Sequence, residues 1–486
     1  MPLSYRKGTR LESSPMHATN PPLTDTLAAD RLRSDPRVAE AKALLRAALA
    51  EHAASLTDVR PPKIALGTEN QQWLERLKIA RGGPPWFPYL GSGIGNGPYV
   101  ELVDGSVKLD FITGIGVHGL GHSDPGMMDA AVDAALEDTV MQGNLQQHRP
   151  SVLMCERLLQ WSNRHGAAMG HCLLSTSGAM ANENALKVAL HARYPADRII
   201  AFDNAFAGRT LALAALTDRP QYRARLPLTI EVDYIPFFDE RDPDGSTERS
   251  AAALQQLLAR HPGRYAAIWL ELVAGEGGYL PGERSFFEVL LKQSREANVA
   301  IIFDEVQTFS RLSQPFAYQH FGLDEYADIV TLGKITQVCA TLYRGELQPT
   351  APILSQTFTG SSSSITCGLA MLDRLEAANC FGPNGANLAR HAYFVSGLER
   401  LAELYPGWVS GPYCAGMMIA FTPGDGSAET ARQMTLRLFD AGLMSFVAGS
   451  NPARVRFLPP PGITTEADID RALQILEQTI RDWPSA

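Results

Sequence analysis

With 486 residues and 45% apolar content, the chain can bury a large core and build more than one domain. Its net charge of −9 gives it no electrostatic attraction for nucleic acid or for an anionic membrane surface. Six cysteines without a C-x-x-C pair offer neither zinc-ligand spacing nor a dense disulfide framework, which points to a reducing cytoplasm.

The opening "MPLSYRKGTRLESSP" has basic residues but no apolar stretch, so it does not read as a secretory signal, and Glu12 arrives early for a transit peptide. No apolar run approaches the roughly 20 residues that span a bilayer. The first two dozen residues are rich in Pro, Ser and Thr and are expected to be mobile. Asp35-Pro36 then predicts a helix start, with Val38, Ala41, Leu44, Leu45, Ala48 and Leu49 on one apolar face. Residues 1–80 therefore read as a partly disordered, partly helical extension. "RGGPPWFPYLGSGIGNGPYVE" (81–101) is a turn cluster that enters the main body; its glycines do not form G-x-G-x-x-G and no strand feeds them.

From about 170 to 335, strand and helix signals alternate. "HCLLS" (171–175), "RIIAF" (198–202), "YAAIWLEL" (265–272), "VAIIFDEV" (299–306) and "DIVTL" (328–332) are continuous apolar runs between helical patterns. Such runs predict an α/β domain with a mostly parallel sheet covered on both faces. The acidic "DERDPDGSTE" (239–248) reads as a solvated loop rather than a metal site. After about 370 a smaller α+β domain is expected, with strands in "GMMIAFT" (416–422) and "ARVRFL" (453–458) and a closing amphipathic helix over 465–483. The boundaries read as 81–130 for the N-terminal part of the small domain, 131–370 for the large domain and 371–486 for the rest of the small one.

In an open α/β sheet, ligands sit beyond the carboxyl ends of the strands, and the unusual residues fall there. Asp304 and Glu305 follow "VAIIF", and Lys334 follows "DIVTLG". A carboxylate at the end of a buried strand is costly unless a cation or donors meet it. A structural Asp–Lys ion pair would explain both residues. A third feature is the strand–turn–helix junction "STSGAMANENALKVAL" (175–190), where Ser177, Gly178 and Ala179 expose backbone N–H groups at a helix start and offer a phosphate seat. The junction lacks the P-loop pattern of nucleotide hydrolases. A phosphate seat, a carboxylate for a ring nitrogen and an amine for a Schiff base together describe pyridoxal 5'-phosphate.

Over residues 85–482 the sequence resembles the class III (ω-)aminotransferases of the type I pyridoxal phosphate-dependent transferase fold. The resemblance rests on ordered blocks: "VELVDGSVKLDFITGIGVHGLGHSDP" (100–125), "STSGAMANENALK" (175–187), "RIIAFDNAFAGRT" (198–210), "ELVAGEGG" (271–278), "FDEVQT" (303–308), "FAYQHFG…ADIVTLGK" (316–334) and "RFLPPPGIT" (456–464). It implies that Lys334 bonds the cofactor aldehyde and shuttles the substrate proton, while Asp304 pairs with the pyridinium nitrogen. Gln307 would bond the phenolic oxygen, with Val306 under the ring and Phe206 stacked on its other face. Backbone of Gly178 and Ala179 would hold the phosphate. Thr357 would reach the phosphate of a neighbouring subunit, implying a homodimer with shared active sites. Arg209 and Arg456 match arginines that bind substrate carboxylates, and Glu276 a glutamate that screens the second arginine.

Within the family, "GKITQVC" and "SGAMANENALK" are similar to the lysine 6-aminotransferase branch, and "YRGELQPTAPILSQTFTG" (343–360) is similar to its 4-aminobutyrate aminotransferases. The implied activity is transfer of a terminal amino group from a lysine-, ornithine- or 4-aminobutyrate-class donor to 2-oxoglutarate. There are departures from the pattern. Ala207 stands where the family has His, Leu272 and Ala274 replace Pro and Gln, Met180 replaces an acidic residue, and 308–317 is one residue short, although Arg311 still aligns. An aminomutase or racemase on the same scaffold would share Lys334 and Asp304. A non-catalytic cofactor binder would have no need of that lysine together with two carboxylate-binding arginines.

Overall fold

The computed structural model describes residues 26–483; the expectation for the first two dozen residues lies outside them. Seven strands form the central sheet: β1 (Met169–Ser175), β2 (Arg198–Phe202), β3 (Glu231–Ile235), β4 (Tyr265–Leu270), β5 (Ala300–Asp304), β6 (Ile329–Leu332) and β7 (Cys339–Arg344). Their order is β1-β7-β6-β5-β4-β2-β3. All pairs are parallel except the two that β7 makes, with β6 and with β1.

Alternation along the strands explains why they read as unbroken apolar runs. Ile301 and Phe303 of β5 join one buried cluster, with Ile200, Leu270 and Val330. Ala300 and Ile302 join another, with Trp269, Ile329 and the helix residues Ala185 and Val188. Both faces are covered, as a parallel sheet requires. β3 and β7 were not anticipated. β3 ("EVDYI") lies at the sheet edge and is mostly half-buried, so its apolar signal is interrupted by Asp233. β7 is antiparallel because the short turn Lys334–Thr336 reverses the chain just after β6.

Two smaller sheets draw on both ends of the described chain. Gly91–Asn96, Tyr99–Leu102 and Val107–Asp110 form an antiparallel sheet, which Leu443–Met444 joins in parallel. The "turn cluster" thus contains most of a hairpin. A second sheet runs Val409–Ser410, Ile419–Pro423, Arg454–Phe457, Phe446–Ala448, which agrees with the strands expected at 416–422 and 453–458. The closing helix is Glu466–Arg481, started by a reciprocal bond between the Thr465 and Asp468 side chains and backbones.

Two local readings differ from the structure. The segment 239–248 is not all loop, because Pro243 at the first helical position starts the helix Pro243–Arg260. The helix Pro36–Ala53 begins as expected, with the Asp35 side chain accepting from Arg37 N, but it buries only Ala53 fully. Leu44 remains 67% exposed. Ion pairs hold this helix to the body: Lys42 to Asp133 at 2.8 Å and Arg46 to Asp129 at 2.5 Å.

Candidate active site

β5 and β6 run parallel with Asp304 opposite Thr331, and Glu305 N donates to Thr331 O at 2.8 Å. Chain leaving both strands therefore emerges on the same edge of the sheet. Glu305 fixes the turn beyond β5: its carboxyl accepts from Ala317 N at 2.9 Å, from Tyr318 N at 3.0 Å and from the Thr308 hydroxyl. Beyond β6, Gly333 is extended and Lys334 sits at φ 56. That left-handed conformation costs a non-glycine residue about 1–2 kcal/mol, so the surrounding structure holds this lysine against a local preference.

A cavity of about 340 Å³ opens at this edge. Eight of the eleven residues singled out in the sequence line it: Gly178, Ala179, Phe206, Arg209, Asp304, Val306, Gln307 and Lys334. Two more adjoin it through Gln307, whose Nε2 lies 3.3 Å from Glu276 Oε1 and whose Oε1 lies 3.4 Å from Arg456 Nη1. Arg456 is fully buried and pairs with Glu276 at 2.6 Å. Thr357 is the exception. It is exposed and does not line the cavity of its own chain.

Ser177 caps the helix Gly178–Ala192, its hydroxyl accepting from Met180 N at 3.1 Å. That leaves the N–H groups of Gly178 and Ala179 with no acceptor among the described residues. A Cβ at Gly178 would lie 2.9 Å from Val306 Cγ1, so glycine lets this helix start sit directly against the turn after β5. At Gly208, φ is +138 and a Cβ would meet Leu213 at 2.8 Å.

The charges are set by dryness. Burial raises the Asp304 carboxyl to about 6, against the opposing pull of Asn182, Val306 N and Lys334. Burial also lowers the Lys334 amine to about 7, with Glu276 working to raise it and Arg456 to lower it further. Its Nζ has no hydrogen-bond partner among the described residues. Burial works against the charged form of Glu276 too, but Arg456 foremost and then Lys334 hold it below the usual carboxylate range. Arg209 is exposed, and its guanidinium lies 4.1 Å over the Tyr222 ring.

The sequence reading missed two polar residues of this site. Asn182 donates to Asp304 Oδ2 at 2.7 Å and to Ala207 O at 2.9 Å, while its own carbonyl accepts from Thr331 at 2.8 Å. Its signal was an amide one turn into the helix, with nothing to set it apart from Asn184 two residues on. Glu271 accepts from Phe206 N at 3.1 Å and from Gly275 N at 3.0 Å, tying the aromatic loop to the loop that carries Glu276. Burial, then the charge of Asp304, raises it to about 8. Cys339 completes the wall beside Lys334.

The cavity fits pyridoxal 5'-phosphate by chemistry. Two free N–H groups at a helix start suit a phosphate, a buried carboxylate without a close cation suits a protonated ring nitrogen, and an amine whose pKa is lowered toward 7 suits an aldehyde.

Comparison with known proteins agrees. The family model for aminotransferase class-III matches residues 92–480. An acetylornithine aminotransferase of Gloeobacter violaceus is 30% identical over 409 residues, covering 80% of this chain and 93% of its own. A 2-aminoadipate transaminase of Pseudomonas putida is 32% identical over 402 residues, covering 78% and 92%. Among solved structures, a lysine aminotransferase from M. tuberculosis superposes with a TM-score of 0.74 at 24% identity, over 84% of this chain and 98% of that one, which shows a shared fold. The chain belongs to the class-III aminotransferases, enzymes of the type I fold that depend on pyridoxal 5'-phosphate.

Proposed function

We propose that the chain transfers the terminal amino group of an ornithine- or lysine-type donor to 2-oxoglutarate. The observation that carries this reading is the buried Arg456–Glu276 pair, joined through Gln307 to the cavity that holds Lys334. Names of relatives support the donor class: acetylornithine and succinylornithine aminotransferases recur among them. They give no support to an aminomutase or racemase.

When bound, the cofactor supplies an aldehyde for the amine and a ring that withdraws electrons. The chain does the rest. N–H groups of Gly178 and Ala179 hold the phosphate, and Asp304, positioned by Asn182, keeps the ring nitrogen protonated. Val306 and Phe206 cover the two ring faces, and Gln307 bonds the phenolic oxygen. Lys334 Nζ would be placed to take the proton from the substrate carbon and give it back. Arg209 at the mouth takes one substrate carboxylate. Arg456 is neutralised by Glu276 when a donor without a second carboxylate is bound. It is freed for the second carboxylate of 2-oxoglutarate when Glu276 turns away, since a guanidinium binds a carboxylate bidentately.

Thr357 needs a second copy to act on a phosphate, and its surroundings support one. Close backbone contact at Gly143 and the Thr359–Gln142 bond of 3.0 Å anchor its loop, and the neighbouring Leu145 is 98% exposed. We therefore propose a homodimer with shared sites. Among the described residues no helix is long and apolar enough to cross a membrane. The six free cysteines fit the proposed cytoplasmic location.

Adding lysine, ornithine, N-acetylornithine and 4-aminobutyrate singly to the holoenzyme should bleach the long-wavelength cofactor band for at least one of them. Subsequent 2-oxoglutarate should restore it. A band unmoved by every amine would overturn the proposal, as would transamination surviving in Lys334→Ala, where a loss of at least about 10²- to 10⁴-fold is expected.

A depressed lysine pKa means that the neutral amine, present only above about pH 10 for an ordinary lysine, is already half-populated near pH 7 here. The rate of cofactor capture by the apoenzyme should rise with pH through a midpoint near 7. Because Glu276 raises that pKa, Glu276→Gln should move the midpoint down. Stopped-flow absorbance measures both.

Arg456→Gln should raise the KM for 2-oxoglutarate by roughly 10- to 100-fold, the worth of a charged hydrogen bond. The half-reaction with a donor lacking a distal carboxylate should change little. Thr357→Ala should weaken cofactor retention by about tenfold while sedimentation still reports a dimer. A monomeric wild-type enzyme would sink the shared-site reading.

A further inference from the structure

A second cavity, of about 490 Å³, lies between the large sheet domain and the C-terminal sheet. It backs onto the active site. Strand Arg454–Phe457 places Arg454 and Arg456 two residues apart, hence on one face. Arg456 serves the active-site side, whereas Arg454 lines this cavity and donates to Gly278 O at 2.8 Å. The segment Glu276–Gly278 is the wall between them, and a Cβ at Gly278 would touch Arg454 Nη1 at 2.4 Å.

The charges lining this cavity are not spent. Arg454 is 8% exposed, its buried Nε has no hydrogen-bond partner, and no carboxylate lies within 4 Å of it among the described residues. Burying a guanidinium whose one bonded partner is a backbone carbonyl is expensive. On the same cavity, Asp203 and Glu240 are exposed carboxylates whose side chains make no hydrogen bond or close ion pair among the described residues. Two other arginines at the rim are already satisfied: Arg241 by Asp239 at 3.0 Å and Arg249 by Asp242 at 2.7 Å. What remains is a cation deep in the cleft that feels the Glu240 charge without a close ion pair, and two exposed carboxylates toward its mouth. Phe237 and Leu280 supply apolar wall between.

We infer that this cleft is a second ligand site that takes a free α-amino acid, its carboxylate on Arg454 and its ammonium on Asp203 and Glu240. A plain anion would leave the two carboxylates facing it, and a plain amine would leave Arg454 unpaired. A zwitterion satisfies both ends, and the volume lies within the usual range of small-molecule pockets.

The test uses full-length holoenzyme whose active site has been closed with aminooxyacetate, so that binding there cannot contribute. Each of the twenty proteinogenic L-amino acids is titrated by calorimetry, against this protein and against Glu240→Gln and Arg454→Gln prepared in the same way. At least one amino acid should bind with one-to-one stoichiometry, and each substitution should weaken it tenfold or more. The N-acetyl derivative and the methyl ester of that amino acid should each bind at least tenfold more weakly. Glu240 is exposed, so its variant keeps the test decisive if Arg454→Gln fails to fold. The inference falls if no amino acid saturates the blocked enzyme by about 10 mM, beyond which the affinity is under ~3 kcal/mol. It also falls if binding survives Glu240→Gln, or if the N-acetyl derivative binds as well, which marks an anion site only.

Discussion

An acid and a base, Asp304 and Lys334, stand at the carboxyl ends of adjacent parallel strands in a cavity too dry for either to ionise freely. Burial pushes the carboxyl up to about 6 and the amine down to about 7, so each carries a large cost for charge that a partner must offset. Parallel pairing of β5 and β6 is what makes the site possible, because it delivers both residues to one edge without any loop having to reach. The neighbouring structure then holds that edge in place. Asn182 reaches from a helix to Asp304, Glu305 fixes the turn that carries Val306 and Gln307, and a left-handed backbone holds Lys334 just beyond β6.

The parts of this arrangement legible in the sequence are those encoded by contiguous residues. Buried strands wear their apolar runs openly, and a capped helix start after a strand marks Ser177–Ala179 as the proposed phosphate seat. Residues that act across the fold left no such trace. Asn182 is one of two amides in its helix, and only folding shows that Asp304, Thr331 and Trp269 all bond it and not Asn184. Glu271 sits five residues before Glu276 in a quoted block, yet its function of joining two loops exists only in three dimensions. β7 escaped because its antiparallel placement depends on the turn at Lys334, not on the composition of "CATLYR".

The departures from the family pattern take physical form around the cavity. Ala207 keeps the backbone bonds of its position, donating to the Thr217 hydroxyl at 3.0 Å and accepting from Asn182, while contributing only a methyl group where relatives carry an imidazole. Leu272 and Ala274 are buried and apolar. Neither of the two lines the cavity, so of these positions Ala207 is the one that gives its wall an apolar group.

Those arginines are held in opposite ways, and the contrast bears on their proposed division of labour. Arg209 is solvent-facing and stacked on Tyr222, so binding a carboxylate there requires little desolvation and breaks no ion pair. Arg456 is wholly buried and already paired with Glu276. A ligand carboxylate can take Glu276's place at little electrostatic cost, because it exchanges one buried ion pair for another. A neutral ligand that displaced Glu276 would strand a buried cation, an error worth several kcal/mol. The same desolvation that depresses Lys334 would therefore give Arg456 the proposed selectivity, since a guanidinium in water would tolerate the loss.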